Sequence, residues 1–337
     1  MTVFARNIAT WMMAPKAALA LTTQYIRICG AGIFFIVAYN VIAAIFRGLG
    51  DSRMPLLFVT IACCCNIAGD LLFVAGFHMD VAGAALATVM AQAISVVLSL
   101  IIIRRKNLPF HMKRQDFSFN PEVRRFLKVG LPLTLQEFLT QISFLIICAF
   151  VNHLGLSASS GYGVASKLIS FIMLVPSAMM QSMSAFVSQN VGAGKEDRAK
   201  KGLKIGIAFG VCVGLVIIVL VQLFGGAASS LFTTRAAFIR DSWAYLKGFC
   251  PEAVVTVFLF SLYGYFNGHG RSTVVMVTGI LQTFLVRLPV SYFRSVQAHP
   301  SLTKIGLACP TATVFGIVIA WLYYLHMNQK MRQFKAQ

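Results

Sequence analysis

Apolar residues in this chain come in long blocks separated by short polar breaks. Nine blocks approach the roughly 20 residues that a helix needs to cross a bilayer. They run over 28–46, 54–78, 81–103, 126–151, 163–187, 203–224, 244–265, 274–296 and 305–325. Backbone groups in lipid must be satisfied within the segment, so each block predicts a helix. Runs such as "VGLVIIVLV" do not alternate. A transmembrane barrel would show short alternating segments instead.

Composition agrees with that pattern. Of 337 residues, 58% are hydrophobic and 12% charged, where a soluble domain carries about 25% charged residues. The mean hydropathy is +0.78. The eight cysteines, Cys29, Cys63, Cys64, Cys65, Cys148, Cys212, Cys250 and Cys309, all lie in apolar stretches without the spacing of a zinc site, and read as packing residues.

A net charge of +19 could indicate nucleic acid, but the basic residues sit mainly in loops between spans. Counted by loop parity, about 17 Lys and Arg fall on one side and about 6 on the other. The rich side holds "RRKNLPFHMKRQD", "GKEDRAKK" and the tail "KMRQFK", and is expected to be cytoplasmic. Contact with anionic lipid is the ordinary use of such loops. The expected partner is therefore the bilayer, with no nucleic acid. The C-terminus is expected in the cytoplasm and the N-terminus outside.

One short stretch has an echo. "FRGLGDSR" at 46–53 returns as "FNGHGRST" at 266–273, an offset of 220 residues without a gap. At that offset Tyr25 meets Tyr245, Arg27 meets Lys247, and Gly48, Gly50 and Ser52 meet Gly268, Gly270 and Ser272. The offset covers six spans, an even number, which predicts a parallel repeat of the kind found in some transporters. Three spans precede the second copy but only about 24 residues precede the first. Charge parity and repeat together lead to the expectation of a 6+6 helix protein lacking three N-terminal helices. The Gly-x-Gly pair is expected to mark equivalent tight turns. A phosphate-binding loop would need a preceding strand and a following Lys.

The order of motifs resembles the multidrug and toxic compound extrusion (MATE) family from about 20 to 330. "YIRICGAGIFFIVAYNVIAAIFRGLGDSRMPLLF" is similar to its fourth and fifth helices, followed by "NIAGDLLF" and "VAGAALATVMAQ". "VGLPLTLQEFLTQISF" resembles the opening of the second lobe, and "VSQNVGAGKEDRAKKG" the loop after the eighth helix. The resemblance implies an all-α polytopic protein of two six-helix lobes in parallel repeat, with nine of twelve helices here. Residues 1–125 would be an incomplete first lobe with a basic linker, and 126–337 a complete second lobe. It further implies export of amphipathic, cationic drugs against inward H⁺ or Na⁺, without a cofactor, by a monomer in the bacterial cytoplasmic membrane. Transport by the short chain is expected to be impaired.

Ionisable groups inside spans are rare and usually functional. Asp70 is the clearest, with Asn66 one turn earlier on the same helix face. A carboxylate beside a carboxamide oxygen suits Na⁺ or a proton. The resemblance to the DinF-like branch adds Thr88 to Asn66 and Asp70 as the cation-coupling set. That branch's remaining acid lies in its first helix, which has no counterpart here. Glu137, beside Gln136, is a candidate for attracting cationic drugs. The NorM-like cation Glu would fall at Thr140, and the acid of its tenth helix has no match in "VTVFLFSLYGYF". Tyr39, Met179, Met180 and Met183 could form an adaptable drug surface, although packing explains any single one as well. Arg287 reads as a partner of carbonyls or a snorkelling group. Pro132, Pro176, Pro251, Pro289 and Pro310 are expected to kink their spans.

Three other readings compete with a drug/cation antiporter. A flippase of lipid-linked saccharides from the same superfamily would want more cations in its cavity. An intramembrane enzyme would need paired acids or a His cluster, whereas His78, His111, His153, His269, His299 and His326 are scattered. The last reading is an inert fragment.

Overall fold

The computed structural model describes residues 2, 4–11, 19–105, 121–297 and 300–336. Most of the basic segment "RRKNLPFHMKRQD", with His111, lies outside the described residues, as does His299. The chain divides into two compact units, Met1–Phe117 and Ser118–Gln337.

Unit 1 contains a short helix, α1 (Ala5–Trp11), then α2 (Leu19–Ala31), α3 (Ile33–Gly48), α4 (Arg53–Asp70) and α5 (Asp80–Arg105). Unit 2 contains α6 (Pro121–Asn152), α7 (Leu156–Ile172), α8 (Leu174–Gly192), α9 (Glu196–Ser230), α10 (Ala236–Phe249) and α11 (Glu252–Gly268). It continues with α12 (Ser272–Leu281), α13 (Leu288–Ser295), α14 (Leu302–Gly306) and α15 (Ala308–Ala336). Among the described residues, seven helical spans are long and apolar enough to cross a membrane, and nine when two bent pairs each count as one. The bent pairs are α2–α3, at 56°, and α10–α11, at 46°.

Those bends show how far the repeat reaches. One break is at Gly32 and the other at Cys250–Pro251, within two residues of each other at the 220 offset. Pro251 cannot donate a helix hydrogen bond, which accounts for the second break. Each bent pair then ends in the same turn. Asp51 N–H reaches back to Phe46 O at 3.0 Å and Gly50 N–H to Arg47 O at 3.1 Å; Arg271 and Gly270 do the same to Phe266 and Asn267 at 2.8 and 2.9 Å. This is the Schellman closure, which needs a left-handed residue after the cap. Gly50 has φ 84° and Gly270 φ 69°. The second glycine of each pair is therefore set by backbone geometry.

The other prolines behave differently from one another. Pro132 lies inside the unbroken α6, so it does not interrupt that helix. Pro176 follows the α7–α8 break at Met173, Pro289 opens α13, and Pro310 sits in the first turn of α15.

Unit 2 packs around α11. Tyr263, Tyr265, Phe266 and Leu262 are fully buried among Val187, Leu203, Val275 and Ala320 from α8, α9, α12 and α15. Glycines bring the helices together. Gly206, Gly210 and Gly214 form a four-residue repeat along α9, where a Cβ at Gly210 would strike Val257 and one at Gly214 would lie 2.8 Å from Ala253 O. Apolar attraction between helices is weak in lipid, so close backbone approach of this kind supplies much of the cohesion. A second cluster joins Ile147, Tyr162, Tyr245, Phe249, Ile305 and Cys309. The core of unit 1 is smaller: Ile42, Phe46, Phe58 and Val96.

Candidate functional site

In unit 1, α4 and α5 bring the sequence-identified polar residues together. Asn66 Nδ2 donates to Thr88 Oγ1 at 3.3 Å, and Thr88 in turn donates to Ala84 O at 3.0 Å. The helices can approach here because Gly69 faces Ala87, 2.9 Å from where its Cβ would be. Asp70 is the last residue of α4, one turn from Asn66. Its Oδ1 is shielded from solvent and has no hydrogen-bond partner. Directly after it the helix widens into a π-helical turn, Leu71–Gly76. Such widenings occur frequently at functional sites. His78 and Asp80 then adopt left-handed φ of 52° and 46°, strained for residues with a side chain. Tyr25 of α2, an exposed residue, lies near Thr88 and Cys29 and within electrostatic reach of Asp70.

Unit 2 has a polar centre of its own. Glu252, the first residue of α11, is 4% exposed, and Arg287 is 5% exposed. Thr313 of α15 donates to Glu252 Oε1 at 2.7 Å. Arg287 Nη1 donates to Ser143 Oγ at 3.4 Å, and the guanidinium sits 5.2 Å from the Phe144 ring centroid. Arg287 acts electrostatically on Glu252 without a direct salt bridge to it. It ends a second π-helical turn, Gln282–Arg287. Glu252 Oε2, Arg287 Nε, Gln282 Oε1 and the hydroxyls of Thr256, Thr283, Ser291, Tyr245 and Tyr263 are buried without hydrogen-bond partners. Tyr25 and Tyr245, paired by the repeat, thus each belong to the polar centre of their own unit.

Two expectations need correction. Arg287 does not snorkel: it is enclosed, and its partners are a hydroxyl and an aromatic ring rather than carbonyls. The block 244–265, likened above to the family's tenth helix, does carry an acid. Glu252 lies just before the segment searched for one, and its signal was legible as a carboxylate inside an apolar block directly after Pro251.

Of the residues considered for drug contact, Tyr39 belongs to unit 1 and the others to unit 2. Glu137 is exposed and accepts a hydrogen bond from Gln141 Nε2 at 3.0 Å. Gln136 turns inward and packs on Gly279, 2.8 Å from where a Cβ there would be. Tyr39 is half-buried against the core of unit 1, and Met180 against that of unit 2. Met183 is itself core, and with Met179 it borders an apolar groove of about 390 Å³ between α8 and α9.

Bent membrane-length helices, an internal repeat and polar centres beside widened helical turns define a polytopic helical membrane protein. Within that class the chain belongs to the MatE family, whose model matches residues 1–72 and 132–293. The chain is 30% identical over 323 residues to the probable multidrug resistance protein YpnP of Bacillus subtilis (strain 168), covering 95% of this chain and 71% of that protein. It is 24% identical over 303 residues to the FAD transporter of Shewanella oneidensis, covering 86% of this chain and 65% of that one. A crystal structure of MATE in the straight conformation matches with a TM-score of 0.87 at 20% identity, over 99% of this chain and 75% of that chain.

Proposed function

We propose that the protein takes part in secondary multidrug efflux, exporting amphipathic, cationic small molecules in exchange for H⁺ or Na⁺, with Asp70 as the coupling acid. The similarity to YpnP supports the drug cargo. The observation that carries the coupling role is the Asp70 oxygen without a partner, one turn from the Asn66–Thr88 pair and against a widened helical turn. An unpartnered carboxylate oxygen in a low-dielectric setting is costly, and a bound proton or Na⁺ relieves that cost. Antiport requires that cation and drug exclude one another, so a charge must differ between the two loaded states. Asn66, Thr88 and Tyr25 offer neutral oxygens around that charge. Glu137, exposed on α6, supplies negative charge for a cationic cargo. The site is assigned to a bacterial cytoplasmic membrane, in a monomer whose C-terminus is cytoplasmic.

The test measures ethidium accumulation in cells expressing the protein or Asp70→Asn, together with proton release on drug addition to purified protein in weak buffer. Asp70→Asn keeps size and hydrogen bonding but removes the charge. Drug-induced proton release, or Na⁺ displacement, is expected to vanish while membrane levels stay normal, and whatever efflux the chain supports should fall to the empty-vector level. Normal efflux by Asp70→Asn sinks the coupling assignment. The similarity to an FAD transporter favours a second reading, an anionic nucleotide cargo. Flavin nucleotide carried in preference to ethidium would establish that reading instead.

A further inference from the structure

In unit 2, α9 and α15 both pack on α11 and leave a cleft between them of about 460 Å³. Its volume lies within the ~300–1,000 Å³ typical of small-molecule sites. Lys200 and Lys204 line one wall, one turn apart on the same face of α9. The other wall is Trp321, Tyr324, Asn328 and Gln329 of α15. Asn328 Oδ1 is buried and has no hydrogen-bond partner. The lining has a direction. At the helix ends it is Lys200, Asn328 and Gln329, and one to two turns deeper it becomes Ile207, Trp321 and Leu325. Trp321 stacks obliquely on Tyr324 at 5.3 Å and on Phe258 at 5.9 Å, which holds its ring in the apolar wall of the cleft.

We propose that this cleft binds one anionic phospholipid with a hydroxyl-bearing headgroup, of which phosphatidylglycerol is the probe. The phosphate sits between Lys200 and Lys204. A headgroup hydroxyl donates to Asn328 Oδ1. The upper acyl chain lies along Ile207, Trp321 and Leu325. The charge on the wall selects an anion, the carboxamide selects a donor beside it, and the polar-to-apolar gradient selects a lipid over a free phosphate. The assignment stands independently of what the protein exports.

Native mass spectrometry of the purified, delipidated protein tests it, with phosphatidylglycerol, phosphatidylethanolamine and glycerol phosphate titrated separately. One phosphatidylglycerol is expected to bind tightly and to raise the melting temperature. Lys200→Gln/Lys204→Gln should weaken that binding roughly thirtyfold, the effect of two basic side chains at an anionic surface. Asn328→Leu should remove the preference for phosphatidylglycerol over a lipid without headgroup hydroxyls. Lys204→Gln alone changes an exposed residue and keeps the test open if the double variant folds poorly; it should lose about fivefold. Unchanged phosphatidylglycerol binding in these variants overturns the site. Equal binding of phosphatidylethanolamine reduces it to a nonselective lipid contact, and equal stabilisation by glycerol phosphate makes it a free-phosphate site; either overturns the proposal as well.

Discussion

Glu252 and Arg287 are both enclosed, yet each is held mainly by neutral groups, Thr313 on the one and Ser143 on the other. Arg287 lies within electrostatic reach of Glu252 without a salt bridge to it. Removing either alone strands the other. Arg287→Met is expected to destabilise the protein by about 3–5 kcal/mol, and Glu252→Gln/Arg287→Met by less than Arg287→Met alone. Thermal unfolding in detergent across the four combinations measures the coupling; strictly additive losses would show that the two charges do not interact. A second residue-level prediction concerns the neutral oxygens near Asp70. Asn66→Ala and Thr88→Ala each remove one oxygen and should weaken drug-driven cation release several-fold, where Asp70→Asn abolishes it. Equal loss in all three would make Asp70 one structural member of a network. Asp70, Asn66 and Glu252 were all visible in sequence as polar groups inside apolar blocks. Their partners were not, because Thr313 is 61 residues from Glu252 and the repeat that pairs Tyr25 with Tyr245 does not say what either touches.

At the scale of elements, the Gly-x-Gly echo turned out to be a helix-ending device, and it occurs a third time. Gly192-Ala193-Gly194 closes α8 with Lys195 N–H on Asn190 O at 2.8 Å and Gly194 N–H on Val191 O at 3.0 Å. In the copy at 268–270 the two glycines do different jobs, whereas Gly48 and Gly192 have open space around them. Gly270 has φ 69° with open space around it, whereas a Cβ at Gly268 would meet Val187 at 2.6 Å and Ser184 O at 2.9 Å. Gly270→Ala should therefore cost about 1–2 kcal/mol through backbone strain alone. Gly268→Ala should cost more by pushing α11 from α8, and Gly268→Leu more again; only the Gly268 variants should be worsened by larger side chains. Melting temperatures of Ala and Leu variants at both sites distinguish strain from clash. The bends were only half legible. Pro251 announces its own break, but Gly32 sits in an apolar run where glycine is common in membrane helices. The third turn escaped notice because nothing outside the two glycines matches the other copies.

For the whole molecule, blocks of apolar residues revealed the helices because lipid leaves the backbone no other option. The packing of those helices was less legible, since faces in a membrane differ by residue size more than by polarity. The glycine repeat along α9 is a case: it lies in plain view in "GLKIGIAFGVCVG", and only the structure shows that Gly202 and Gly206 meet α8 while Gly210 and Gly214 meet α11. Charge asymmetry adds what packing cannot, a direction across the membrane. In unit 2 the turn after α8 and the turn after α11 lie at one end, since Glu196, which opens α9, contacts His269 at 3.2 Å and Tyr265 at 2.7 Å. That end carries Lys195, Arg198, Lys200, Lys201 and Lys204, and the excess of basic residues should hold it in the cytoplasm. The loop 231–235 between α9 and α10 lies at the other end of α9. A cysteine placed at exposed Ala193 should then react with a membrane-impermeant maleimide only in inverted vesicles, and one at exposed Thr234 only in intact cells. The background for both should have the exposed Cys63, Cys64 and Cys212 replaced by Ser. Labelling of Ala193→Cys from outside would invert the molecule, and would move the lysine-lined cleft between α9 and α15 to the outer leaflet.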